Sequence, residues 1–160
     1  MRITLLLFAM LIVSAGCTSS TITDDEVQGV AKTLDFGDYQ STTLATKSWD
    51  ALADKDYAAV LAYTSKCIEL YGEEGKRMNS QLTMHAPIER VNRYWALNDA
   101  GTCMYIRATT YEKLRMYPEA AQAFRSLADD FTYSQCYDPK GWYWHPASGA
   151  TAKADKYASK

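Results

Sequence analysis

Four prolines in 160 residues leave long stretches free to be helical, and two of the four stand where helices begin. Pro87 follows Ala86 and Pro118 follows Tyr117. Proline pushes its predecessor toward extended backbone and suits the first turn of a helix, where its missing N–H has no partner to lose. Between these stops, apolar residues recur at helical spacing. Leu44, Ala45, Trp49 and Leu52 mark one face of a helix expected from an N-cap at Ser41 to about Ala53. After a break at Asp54-Lys55-Asp56, Val60, Leu61, Thr64, Cys67, Ile68 and Tyr71 mark a second helix, from Tyr57 to about Asn79. Gly72 and Gly75 weaken its last turns by about 1 kcal/mol each. A third helix is expected from Ile88 to Leu114, with Val91, Trp95, Cys103 and Ile106 among its buried residues, and a fourth from Glu119 to Phe131. The expected fold is all-α, made of antiparallel helix hairpins with elongated central helices.

The region from Thr132 to Ala147 breaks this pattern with closely spaced aromatics and turn residues, and Asp138-Pro139-Lys140-Gly141 has the composition of a turn that folds the segment back. Trp142, Tyr143 and Trp144 then either cap the apolar end of the last hairpin or stack on sugar rings of a cell-wall glycan. A short Ala/Lys helix is expected over residues 148–160, with Ala150 on its surface.

The N-terminus reads as a secretory address: Arg2, then the apolar run Leu5 to Val13, then Ser14-Ala15-Gly16-Cys17. Crossing a bilayer takes about 20 apolar residues, and this run is shorter. Residues 1–16 are thus expected to be a cleaved signal peptide. Ala15-Gly16-Cys17 resembles the lipobox of bacterial lipoproteins, although Ser14 stands where that family usually has Leu. The resemblance implies lipidation at Cys17, which would hold the domain to a membrane of the cell envelope, on its periplasmic face. Thr18 stands where many such lipoproteins carry an inner-membrane retention Asp, which favours the outer membrane. Residues 17–40 are polar and acidic and read as the lipidated cysteine and its spacer, although Phe36 and Tyr39 are expected to fold back on the first helices. Loss of Arg2 leaves 16 basic against 19 acidic residues, a formal charge of −3, which argues against nucleic acid as a partner.

An internal repeat becomes visible when Asp56-Tyr57 is laid on Met116-Tyr117: Val60 falls on Ala120, Thr64 on Phe124 and Cys67 on Leu127. In the second copy, Ala108, Tyr111, Tyr117, Ala120 and Phe124 resemble the tetratricopeptide repeat, with small residues where two helices cross and aromatics beside them. The copies lie 60 residues apart, wider than that repeat's period of about 34. The stretches Asp35-Phe36-Gly37-Asp38-Tyr39, Lys66-Cys67-Ile68-Glu69-Leu70-Tyr71 and Gln135-Cys136-Tyr137-Asp138-Pro139-Lys140-Gly141-Trp142-Tyr143-Trp144 are also similar to uncharacterised bacterial tetratricopeptide lipoproteins, some labelled as glucanases. Residues 41–147 would then form one tetratricopeptide-like domain including its aromatic cap. In such a hairpin the first helix of each copy lines a concave face, here offering Trp49 from one copy and Tyr105, Thr109 and Glu112 from the other. These four are the candidate contacts for a partner, expected to be a protein or peptide of the envelope.

Catalytic signatures are not found. The sequence has no nucleophile elbow and no phosphate-cradling glycine loop, and nothing in the spacing of its acids selects a glycosidase pair. Without CxxC pairs, and with His85 and His145 distant in sequence, no metal or cofactor is expected. Cys67 and Cys103 each lie 18 residues from His85, so a hairpin turning there sets them level. They are placed either to form a disulfide or to fill small buried positions as thiols. The expected function is a non-enzymatic scaffold or assembly factor, with a cell-wall glycan-binding or glucanase-related protein that uses the C-terminal aromatics as the alternative.

Overall fold

The computed structural model describes residues 21–160; the expected signal peptide and the expected lipidation site, Cys17, lie outside them. The fold is all-α, with six helices and one small hairpin among the described residues: α1 Asp24–Ala31, α2 Ser41–Ala53, α3 Tyr57–Asn79, α4 Trp95–Lys113, α5 Tyr117–Asp130, β1 Cys136–Asp138, β2 Trp142–Trp144 and α6 Ala150–Ala158. A 3₁₀ segment, Ile88–Tyr94, leads into α4. The long helices α3 and α4 form the most extensive contact. Helix α2 packs on both, α5 packs on α4, and α6 packs on α5.

The helix pairs α2/α3 and α4/α5 turn the same corner. In the first, the amides of Asp54, Lys55 and Asp56 donate to the carbonyls of Asp50, Leu52 and Ala51; in the second, those of Leu114, Arg115 and Met116 donate to Thr110, Glu112 and Tyr111. Every partner is displaced by the same 60 residues. The middle residue is left-handed in both turns, Lys55 at φ 61° and Arg115 at φ 60°. The residue entering the next helix matches as well: Asp56 has φ −80° and ψ 77°, Met116 φ −80° and ψ 73°. The caps differ. Asp56 accepts the Ala59 N–H at 3.0 Å, whereas Met116 makes no side-chain cap and Pro118 removes one of the donors that needs one.

The core falls into two clusters. One gathers Leu44, Val60, Cys67, Cys103 and Ile106; the other is built around Leu97, Phe124, Leu127, Phe131 and Tyr157. Ala108 and Ala120, the proposed crossing pair, are fully buried in the second.

Three local departures from expectation have physical causes. The α-helix expected from Ile88 starts only at Trp95, because the Asn98 amide donates to the Val91 carbonyl at 3.0 Å, the acceptor that a regular helix would offer to the Trp95 N–H. The expected spacer holds helix α1, with Thr23 Oγ1 accepting the Glu26 N–H and three acids in its first turn. Ala150 is 1% exposed rather than on the surface, because α6 lies against α5. Phe36 and Tyr39 do fold back: Phe36 meets Tyr63 edge-on at 5.4 Å, and the Tyr71 hydroxyl donates to the Tyr39 carbonyl at 2.8 Å.

Gly101 positions the C-terminal hairpin. A Cβ there would lie 2.5 Å from Ser134 Cβ, so only glycine lets the chain after α5 run against α4. Beyond this contact the Gln135 N–H donates to Asn98 Oδ1 at 2.9 Å and its side-chain amide to the Ala86 carbonyl at 3.0 Å. The turn read at 138–141 is formed, with the Gly141 N–H on the Asp138 carbonyl at 2.8 Å, and Cys136 pairs with Trp144 across the strands.

Candidate functional site

The hairpin roofs a cleft of about 830 Å³ between α2 and α4, within the size range of ligand sites, about 300–1,000 Å³. Helix α2 contributes Thr42, Ala45, Thr46 and Trp49 to its wall. The 3₁₀ segment and α4 contribute Val91, Asn92, Trp95, Asn98, Asp99 and Thr102. The hairpin contributes Tyr137, Asp138, Tyr143 and Trp144, with Cys136 between them and α4.

The two aromatic groups singled out in the sequence, Trp49 and the 142–144 cluster, meet here. Trp49 packs against Trp144 with ring centroids 6.3 Å apart, and Tyr105 stands behind both, 6.3 Å from Trp49 and 5.0 Å from Trp144. Tyr105 therefore supports the wall without lining it. Tyr143 lines it and meets Tyr137 at 5.2 Å. Trp142 does not belong to the wall: it is 50% exposed, with the Lys140 ammonium 5.8 Å from its ring.

Thr109 and Glu112 are not in this wall, contrary to the expectation of one continuous face. The Glu112 carboxylate takes the Lys153 ammonium at 2.8 Å and the Tyr157 hydroxyl, tying α4 to α6. Burial works to raise its pKa, but Lys153 and Tyr157 outweigh it and hold it below the ordinary value. The same hydrogen bond, with burial, pushes Tyr157 up to about 12. Thr109 Oγ1 is buried without a partner among the described residues.

Cys67 and Cys103 are brought level as expected, but as free thiols, fully buried at the α3/α4 contact. The disulfide reading gives way to its alternative: both sulfurs fill small positions in the core. Burial, reinforced by the neighbouring Cys67, pushes the Cys103 thiol well up, and burial raises that of Cys136 also. These are the opposite of the shifts that activate a cysteine. His85 and His145, distant in sequence, stack with ring centroids 3.7 Å apart. No cluster of three metal-ligating side chains occurs among the described residues.

Sequence reasoning missed Asp99, a mostly buried carboxyl of the wall. Ser41 Oγ donates to its Oδ2 at 2.5 Å, its only side-chain hydrogen bond among the described residues, and burial raises its pKa more than this bond lowers it. A signal was present. Trp95, Asn98, Asp99 and Thr102 are spaced i, i+3, i+4, i+7, a largely polar stripe on a first half of α4 that is otherwise made of Ala96, Leu97, Ala100, Gly101 and Cys103. Trp95, expected to be core, is 44% exposed and stands in this stripe.

No protein-family model matches this chain, and neither a curated protein nor a solved structure matches it. No helix among the described residues is long and apolar enough to cross a membrane.

Proposed function

We propose that this chain is a lipid-anchored, non-enzymatic recognition protein of the bacterial cell envelope, built on two tetratricopeptide-like hairpins, whose cleft takes an extended segment of another envelope protein. The observation that carries this reading is the convergence of Trp49 on α2, Trp95 on α4 and Trp144 on the hairpin around one cavity. Large, rigid aromatics lose little conformational entropy on binding and supply most of the energy at recognition surfaces. Binding is favoured over catalysis by the state of the polar groups. Asp99 has no histidine or lysine beside it in the wall, and Asp138 Oδ1 is occupied by the Lys140 N–H of its own turn at 2.8 Å. The 60-residue repetition of the corner supports the tetratricopeptide likeness, and the Ala15-Gly16-Cys17 sequence supports the anchor.

A random linear peptide library selected on the wild-type domain and then screened on Trp49→Ala and Trp95→Ala variants tests the cleft. Enriched peptides should bind the wild type and lose affinity for both variants; equal binding to all three proteins would remove the cleft from the function. Metabolic labelling with a palmitate analogue tests the anchor. The wild type should take the label and Cys17→Ala should not, and an unlabelled wild type would end the lipoprotein reading.

Glycan binding is the second reading. Exposed Trp rings beside carboxylates also suit sugar stacking, and Tyr143 and Trp144 lie in the wall.

A further inference from the structure

We propose that the cleft selects a positively charged side chain, lysine or arginine, on the segment it binds, with Asp99 as the counter-charge and the Trp49, Trp95 and Trp144 rings around the cation. The inference rests on the cleft reading above and adds the chemistry of the occupant.

The wall is electrostatically one-sided. Its charged residues are Asp99 and Asp138, and it contains no lysine, arginine or histidine. Asp99 is mostly buried and has only the Ser41 hydroxyl as a hydrogen-bond partner. A carboxylate so placed costs stability unless a cation joins it, and nothing in the described chain supplies one. A ligand that brings the cation supplies what the fold lacks.

Hydrogen-bonding capacity points the same way. The Asn98 and Gln135 amides donate to the carbonyls of Val91 and Ala86. The Thr46 and Thr102 hydroxyls donate to those of Thr42 and Asn98. With these donors engaged, the charged groups that the wall presents are acceptors, the Asp99 and Asp138 carboxylates, beside the neutral donors of Asn92, Tyr137 and Tyr143. An ammonium or guanidinium is a pure donor and a full positive charge, and so meets those carboxylates in both respects. The indole faces complete the fit. A cation over a tryptophan ring is attracted by its quadrupole, and the methylene stem of lysine or arginine packs on the same surface.

The test uses the full chain carrying Cys17→Ala, labelled with ¹⁵N and followed through its tryptophan indole resonances. The probes are end-capped Gly/Ser peptides with one central guest, Lys, Arg, citrulline or norleucine, together with chitotetraose. Trp142 lies outside the wall and serves as the internal reference. The Lys and Arg peptides should shift the Trp49, Trp95 and Trp144 signals and leave Trp142 in place. They should bind about tenfold or more tighter than the neutral guests. Asp99→Asn, with indole dispersion unchanged, should erase that preference. If charged and neutral peptides shift the same three signals equally, the charge selection is wrong and the peptide cleft stands. If only chitotetraose shifts them, the occupant is a glycan and both readings are replaced. If no probe shifts them, both fall.

Discussion

Where α5 buries Phe124, α3 buries Thr64 at the equivalent position; where α5 buries Leu127, α3 buries Cys67; and where α4 passes its neighbour with Ala108, α2 uses Ser48. The corners are the same and their fillings are not. The polar residues of the first hairpin are satisfied locally, Ser48 on the Leu44 carbonyl at 2.7 Å and Thr64 on the Val60 carbonyl at 2.8 Å. They cost little when buried but return little transfer energy. The second hairpin adds Phe131 and the docked face of α6, where Tyr157 stacks near Phe124 at 6.1 Å. The comparison suggests a division of labour. The α4–α6 half supplies most of the apolar burial, and the α2 half forms the open side of the cleft.

The most direct way to break this division is at the matched pair Thr64 and Phe124. Phe124→Ala should cost about 3–5 kcal/mol, the usual range for emptying an aromatic core site. Thr64→Val should stay within about 1 kcal/mol, since it removes a hydroxyl bonded only to its own helix. Urea denaturation of both variants measures this, and comparable losses would mean that the two hairpins share stability evenly.

The next effect sharpens the comparison at the crossing itself. Position 120 carries Ala where its equivalent, position 60, carries Val, and both are fully buried. The second crossing is thus the tighter, and Ala120→Leu should overpack it by about 1–3 kcal/mol. Exposed Ala152→Leu should be nearly neutral because both residues favour helix. Equal melting temperatures for the two variants would show that Ala108 and Ala120 do not close a tight contact.

The hairpins were legible in the sequence because apolar period and proline position act locally, and the turn replicas lie where Asp56-Tyr57 aligns with Met116-Tyr117. Trp49, Tyr143 and Trp144 were legible as candidates because large aromatics stand out in a helical chain. Their meeting was not legible. It depends on Gly101 admitting Ser134 and on Asn98 and Gln135 tying the loop down, contacts 33 and 37 residues apart in the chain. Asp99 was hidden for a related reason: one acid among nineteen becomes distinctive only when a roof buries it. Glu112 was misplaced because the docking of α6, which engages it through Lys153 and Tyr157, leaves no mark in the spacing of α4.

Asp99 lies between the two halves, on α4 but bonded to Ser41 of α2, and its removal should run against the usual direction of mutation. Its pKa is raised by burial, so between the ordinary carboxylate value and the raised one the native state binds more protons than the unfolded chain. Stability from this group therefore falls as pH rises through that window. Above the window the wild type carries an unpaired buried carboxylate. Asp99→Asn keeps an acceptor for Ser41 without the charge and should raise the melting temperature at neutral pH, with the gain vanishing at acid pH. The groups facing Asp99 that also titrate, Cys103 on its own helix and Cys136 on the hairpin, have pKa values raised above the ordinary thiol range and stay neutral across this interval. A lowered melting temperature at neutral pH would mean that the carboxylate is already compensated, and the case for an incoming cation would weaken with it.

The smallest expected effect lies outside the repeat, where the two halves are joined by a contact that neither hairpin has a copy of. His85, in the connection between α3 and α4, stacks on His145, just after β2, and meets Tyr133 edge-on at 5.7 Å. His85 Nε2 is buried without a partner among the described residues. Burial first, and the His145 ring second, lower the His85 pKa below its ordinary value. The unfolded chain consequently takes up a proton at about pH 6.5 that the native chain resists. The sign follows: stability from this site is fully present above about pH 6.5 and is lost as pH falls from there through the lowered native value. Because His145 belongs to the strand end that carries Trp144, the roof of the cleft should loosen before the helices do. Melts from about pH 8 to about pH 5, followed by the Trp144 indole signal and by helical circular dichroism, should show the indole transition moving down first in the wild type. His145→Phe keeps a ring on His85 and removes the second imidazole of the stack, so its indole transition should depend less on pH. If wild type and His145→Phe lose stability in parallel, the histidine stack does not hold the roof, which then rests on the contacts of Ser134 and Gln135 with α4 and the segment before it.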